Sequence, residues 1–306
     1  MNGANIGIVL PETKNRPRSK GKITYTDGRE EMLEYGAEKI DAAEYKGRND
    51  IVSILLPNSV ESIGYDAFAE CTELKTVVLQ NGVKEIGHYA FRDCPKLEGI
   101  TFSDDLENIG ADIFLNCTSL CEVFVPEKAK FNIEQPFQGC ECKVTVHAKN
   151  PYYKVIDGDV YSADGKTLVA HIPAPGEKSY TIPEGVEKIG SYAFSRCVNI
   201  AEITMPGGVT AIETSAFSGC QSLESIKIPE GVSEIGSTAF YGCEKLESAY
   251  IPASVKAIGF AAFDRCLVLK EFLYGGKKSE WKKIKVENRN DLINGKTSAR
   301  AKVVFA

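Results

Sequence analysis

The sequence predicts an α/β solenoid, an array of 23-residue coils built mostly from short parallel strands joined by helical or 3-10 turns. Three observations carry this. A Phe followed three residues later by Cys recurs at Phe68/Cys71, Phe91/Cys94, Phe114/Cys117 and Phe137/Cys140. It returns at Phe194/Cys197, Phe217/Cys220, Phe240/Cys243 and Phe263/Cys266, with a step of 23 residues inside each set. In the same phase runs a Val-x-x-Ile-Gly element: Val60/Ile63/Gly64, Val83/Ile86/Gly87, Val186/Ile189/Gly190, Val232/Ile235/Gly236 and Val255/Ile258/Gly259. Finally, Thr76-Val77-Val78-Leu79, Ser225-Ile226-Lys227-Ile228 and Ser248-Ala249-Tyr250-Ile251 alternate in and out, as half-buried strands do.

Each unit holds about six apolar positions, too few to enclose a core alone, so stacking must cover each layer with the next. Strands recurring once per coil then lie parallel, about 4.8 Å apart. Pro after the strand (Pro57, Pro126, Pro183, Pro206, Pro229, Pro252) suits a strand end, since it cannot donate to a continuing ladder. The Ala-Phe-x-x-Cys-x-x-Leu stretch has helical or 3-10 spacing and is placed as a helical turn on the opposite face. The recurring Gly is expected to permit a tight bend or a backbone angle that Cβ would forbid.

The array is read in five parts: residues 1–36 as N-terminal segment and cap, 37–148 as repeats, 149–179 as a β-meander insert, 180–274 as repeats, and 275–306 as C-terminal cap. Counting back 23 residues from Phe68 reaches Tyr45, with Arg48 in place of Cys, a degraded first coil suited to capping. In the insert, Asp157-Gly158 and Asp164-Gly165 separate β-like runs and predict hairpins projecting from the solenoid. Past Gly275 the repeat is lost, and Trp281, Ile284, Val286, Leu292, Ile293, Val303 and Val304 can close the open end.

A net charge of -6 gives no reason to expect nucleic acid or an anionic membrane as partner. No apolar run approaches the roughly 20 residues that span a bilayer. Between Met1 and Lys22, basic residues follow the short apolar patch Ile6–Leu10, where a signal peptide would place charge first.

At Ile182–Cys197, Ile-Pro-Glu-Gly-Val-Glu-Lys-Ile-Gly-Ser-Tyr-Ala-Phe-Ser-Arg-Cys closely resembles the BspA-type leucine-rich repeat. The interruption from Asn150 to Ala174 resembles the hairpin insert such proteins often carry, and Ser279 to Leu292 resembles their closing segment. The resemblance implies a curved solenoid of surface or secreted proteins, linked to adhesion and host-protein recognition. It assigns no catalytic residue. The first residues, which do not read as an export signal, keep a cytoplasmic location as the alternative.

Candidate chemistry is sparse. The phased cysteines read as a buried, reduced ladder packing as small apolar residues. Equivalent cysteines in successive coils present parallel, not facing, Cβ vectors. Cys121 and Cys142 break phase; with Cys140 and His147 they suggest a metal site but lack a second ligand pair with zinc spacing. Asp157, Asp159 and Asp164 faintly suggest calcium but do not fit the loop pattern and read as turn residues. His88, His147 and His171 lie in no nucleophile context, and no phosphate loop occurs. The chain is therefore expected to be no enzyme, with no cofactor and no metal.

The expected function is binding of a protein or peptide through the concave strand face. There the residue between each strand's two core positions points outward: Val78, Thr101, Phe124, Thr204, Lys227, Tyr250 and Leu273. Large apolar residues on a regular exposed face are candidate anchors, although they can also simply cover one another along the sheet. Glu98, Glu122, Glu202, Glu224 and Glu247 flank the row, which points to a basic or mixed partner. The alternative is a structural spacer array within a larger surface assembly.

Overall fold

The computed structural model describes residues 17–131, 137, 140, 142–290, 293 and 301–305. Residues 1–16 and Leu292, on which sequence expectations were placed, lie outside the described residues. The chain forms two compact units, residues 1–132 with 145–150, and residues 133–144 with 151–306.

Within each unit the coils stack in the predicted register. In the first unit Ile51–Leu56, Thr76–Leu79 and Gly99–Thr101 pair parallel, with Ser53 opposite Thr76 and Thr76 opposite Gly99. Each step is one 23-residue repeat. Glu122–Val125 continues the sheet through the pair Glu122–Gly99. A second parallel sheet of two-residue strands runs through Lys39–Ile40, Ser62–Ile63, Glu85–Ile86, Asn108–Ile109 and Lys130–Phe131. In the second unit the long strands are Ser179–Thr181, Glu202–Thr204, Ser225–Lys227, Ser248–Ile251, Glu271–Tyr274 and Lys302–Phe305, in that order and all parallel.

The predicted helical turn is not a helix. Among the described residues helix is confined to the C-terminal region, where it spans Lys278–Trp281. Around each Phe, two residues take left-handed backbone angles instead: Asp66 and Glu70 about Phe68, Tyr89 and Asp93 about Phe91, Tyr192 and Arg196 about Phe194. Such angles are costly for non-glycine residues and break any helix. They turn alternate N–H groups toward the next coil. Asp66, Phe68 and Glu70 donate to the carbonyls of His88, Ala90 and Arg92 at 3.1, 2.8 and 2.8 Å. The coil thus carries a third ladder between coils where a helix would have satisfied its own backbone.

The side chains follow the same logic. Tyr45, Phe68 and Phe91 stack with ring centroids 5.1 and 5.4 Å apart. Phe194, Phe217, Phe240 and Phe263 stack at 5.1 Å per step. All of these Phe side chains are buried. The cysteines do more than fill space. The Cys94 thiol donates to the Phe68 carbonyl at 3.2 Å, and Cys117, Cys220, Cys243 and Cys266 repeat the contact with the carbonyl 26 residues earlier. Burial pushes the Cys71 thiol up to about 11 and the Cys220 thiol up to about 12, so both stay protonated donors at neutral pH.

The Gly of Val-x-x-Ile-Gly serves neither a bend nor a forbidden angle. A Cβ on Gly110 would lie 2.5 Å from the backbone nitrogen of His88 and 2.6 Å from the carbonyl carbon of Gly87. Gly87, Gly236 and Gly259 are equally confined by the coil before them. Close approach of successive coils is what requires glycine. Glu213 departs from the rule, and its carboxylate accepts from the backbone N–H and hydroxyl of Ser191 in the preceding coil.

The meander does not project away from the stack. Tyr153–Ile156 and Asp159–Ser162 pair antiparallel, as do Asp159–Ser162 and Thr167–Ala170. Thr167–Ala170 then pairs parallel with Lys188–Ile189 and so extends the sheet of short strands. In the first unit, Gly21–Tyr25 pairs antiparallel with both Glu30–Leu33 and Ile51–Leu56, closing the long-strand sheet with a hairpin.

Gly110→Ala is expected to lower stability by about 1–3 kcal/mol, because the methyl must push two coils apart. Gly99→Ala, where a Cβ meets nothing within 4 Å, is expected to stay within about 0.5 kcal/mol of the parent. Thermal and denaturant unfolding of the two variants checks this, and equal losses would contradict it.

Candidate functional site

The long strands bury every second residue and leave the other row outward. In the first unit Val77 and Leu79 are buried on either side of Val78, and Val123 and Val125 on either side of Phe124. Thr101 is exposed beside them, with Val78 its partner on the neighbouring strand. Leu55 pairs with Val78, Lys22 with Leu55, and Met32 with Lys22, so the row continues across the N-terminal hairpin. Phe124 is 47% exposed and Met32 is 54% exposed, both unusual for such large apolar groups. The ring of His147 meets Phe124 edge-on at 6.2 Å.

In the second unit Thr204 and Lys227 are exposed, and Tyr250 and Leu273 half-buried. Lys227 pairs with Tyr250, Tyr250 with Leu273, and Leu273 with Val304. Tyr250 is held down. Its hydroxyl donates to Glu230 Oε1 at 2.9 Å, and the Lys227 ammonium lies 6.0 Å from its ring centroid. The Glu230 carboxylate beside it pushes the Tyr250 phenol above its usual range. A Cβ on Gly275 would come within 2.3 Å of the Tyr250 hydroxyl, so that glycine makes room for the ring to lie flat. A large side chain fixed before binding loses little freedom on contact. Glu98, Glu122, Glu202, Glu224 and Glu247 are all exposed, and Glu247 is engaged by Lys270 Nζ at 2.8 Å.

A second group of polar residues is buried in the second unit. His171 Nδ1 lies 3.0 Å from Asp159 Oδ1, and the Ile172 N–H donates to the same oxygen at 2.8 Å. The Tyr180 hydroxyl donates to Asp159 Oδ2, and burial with this carboxylate drives the Tyr180 phenol far up. Glu177 Oε2 stands 3.3 Å from His171 Nε2 but out of line for a hydrogen bond. The imidazole is 4.9 Å from the Phe194 ring, and its backbone N–H donates to Ala193 at 2.9 Å. His171 thus stands 23 residues before Phe194, in the ring column itself. It ends the column as Tyr45 does in the first unit. With His171 and Asp159 both almost fully buried at the end of the ring column, the cluster forms a polar cap on the stack.

The family model for the BspA-type leucine-rich repeat region matches residues 38–161 and 177–288, in six copies. The chain belongs to the BspA-type leucine-rich repeat family. A leucine-rich repeat protein from Eubacterium ventriosum is 24% identical with a TM-score of 0.73, covering 89% of this chain and 72% of that one. The pneumococcal vaccine antigen PcpA is 21% identical with a TM-score of 0.61, covering 92% of this chain and 82% of that one. A leucine-rich cell surface protein from Faecalibacterium prausnitzii is 24% identical with a TM-score of 0.51, covering 91% and 99%. At these identities the likeness establishes the fold. Comparison with curated proteins found no match.

The sequence-predicted row therefore faces outward within each unit: Val78, Thr101 and Phe124 in one, Thr204, Lys227, Tyr250 and Leu273 in the other. Cys121 is exposed and Cys142 buried. Among the described residues, no three His, Cys, Asp or Glu side chains gather to hold a metal ion. Also among the described residues, no helix is long and apolar enough to cross a membrane. Trp281 packs on Tyr274 at 5.0 Å and Phe272 at 6.1 Å. Sequence reasoning missed the Asp159–His171–Tyr180 cluster. The signal was available in the count of 23 from Phe194, but a His in a Phe position hides the phase.

His171→Phe continues the ring column yet strips Asp159 of its imidazole. The expected loss is on the order of 3 kcal/mol, because a buried carboxylate is left short of a partner. Adding Asp159→Asn, which removes that charge, is expected to recover part of it. Denaturant unfolding of the single and double variants reads both; a stable His171→Phe protein would refute the cap.

Proposed function

We propose that this leucine-rich repeat protein is a non-catalytic binding module that recognises a protein or peptide through the outward rows of its long strands. The observation that carries the reading is the placement in these rows of Phe124, nearly half exposed where the preceding coil holds Thr101, and of Tyr250, tied down between Glu230 and Lys227. Aromatic anchors in a surrounding of Thr, Ser and Glu have the composition of an interface centre with a polar rim. Membership of the BspA-type family supports the same reading, and with it a place at the cell surface and a role in adhesion or host recognition. The exposed Glu202 and Glu224 beside the second row favour a partner with basic groups. A spacer role competes, but a spacer gains nothing from large apolar side chains turned to water.

The test is a pull-down followed by affinity measurement on the recovered partner, comparing the parent with Phe124→Ala, Tyr250→Ala and the double variant. At least one single variant is expected to weaken binding tenfold or more, equivalent to about 1.4 kcal/mol, with the unfolding temperature unchanged. Undiminished binding of an identified partner by the double variant would place recognition elsewhere.

A further inference from the structure

The C-terminal end of the second unit holds a cleft of about 770 Å³. Its apolar walls include Trp281, Ile284 and Phe305, and its polar lining is Lys278, Lys282 and Lys302. No carboxylate is among the described lining residues. The volume lies in the range of sites that enclose a small molecule, and apolar walls with a few convergent charges are the usual composition of such sites.

The lysines of this cleft differ from those that are paired along the coils. Along the coils Lys84, Lys96, Lys166 and Lys270 are each satisfied by a glutamate at 2.8–3.0 Å. Among the described residues, Lys278, Lys282 and Lys302 have no carboxylate within ion-pair distance. Two of them follow from local structure. The short helix Lys278–Trp281 and its C-cap Lys282 put Lys278, Trp281 and Lys282 on one side of a single turn, at spacings of three and four residues. Lys302 comes from the edge strand Lys302–Phe305, whose Phe305 forms wall on the same cleft. Three cations of one sign around an apolar hollow attract a negative group and leave room for an apolar body beneath it.

We infer that this cleft binds amphipathic anions, molecules with an aliphatic or aromatic body and a carboxylate head. The body lies against Trp281, Ile284 and Phe305, and the head is met by Lys278, Lys282 and Lys302. The site shares no residue with the outward strand rows, so neither reading depends on the other.

Trp281 is the only Trp in the chain, which makes it a reporter placed in the wall of the site. The 306-residue protein is titrated with sodium decanoate below its micelle concentration while indole emission is followed. A saturable change is expected. It should be at least tenfold weaker in K278Q/K282Q/K302Q and should persist in the Phe124→Ala/Tyr250→Ala variant. Decyltrimethylammonium, matched in chain and opposite in charge, should give no saturable change. Far-UV circular dichroism and the unfolding temperature confirm that the lysine variant keeps its fold, since all three side chains end at the surface. Absence of a saturable response to decanoate, an equal response to the cationic analogue, or an unaltered affinity in the lysine variant would each overturn the site.

Discussion

The structure rests on how closely one coil can approach the next. A single coil has too little apolar surface to hold itself together, and its core exists only as a layer shared with its neighbours. Three backbone ladders, a column of stacked rings and a row of thiol–carbonyl contacts all require the same short step between coils. Glycine at positions such as Gly87 and Gly110 sets that step, because a methyl there would meet the backbone of the coil before it. The left-handed residues around each Phe cost energy locally and are compensated by hydrogen bonds that only a neighbouring coil can receive.

A stack of this kind must also end, and each end uses a different device. The N-terminal hairpin covers the first long strand with antiparallel pairing. His171 replaces Phe in the ring column and anchors it through Asp159. At the far side of the second unit, Asn290 is almost fully buried; its amide donates to Gly259 O at 2.8 Å and its carbonyl accepts from Phe263 N–H at 3.4 Å. A side-chain amide there takes the hydrogen-bonding place that backbone groups of the next coil fill elsewhere in the stack.

Much of this was legible in the residues. Phase alone places Phe68, Phe91, Phe217 and Phe240 in the core and turns Val78, Phe124 and Tyr250 outward, since a period-two strand in a stacked coil has no other choice. What escaped depends on relations between coils that one coil's sequence does not display. Ala-Phe-x-x-Cys has helical spacing, and only the demand for hydrogen bonds to the neighbouring coil converts it to left-handed turns. Cys reads as a small apolar residue until the Phe carbonyl 26 positions earlier is seen beneath it. His171 looked like a lone histidine because its partner Asp159 sits on another strand of the meander. The alternation that buries Val77, Leu79, Val123 and Val125 is what turns Val78 and Phe124 outward, and that much a single coil's sequence displays.

The shared interior can be tested by removing one layer. Deleting residues 218–240 joins Phe217 to Tyr241 and keeps the 23-residue phase, whereas deleting residues 218–229 breaks it. Thermal unfolding followed by circular dichroism should show a cooperative transition at reduced temperature for the first deletion and no native transition for the second. If the two deletions behaved alike, whether both folded or both collapsed, the coils would not be interchangeable layers of one stack.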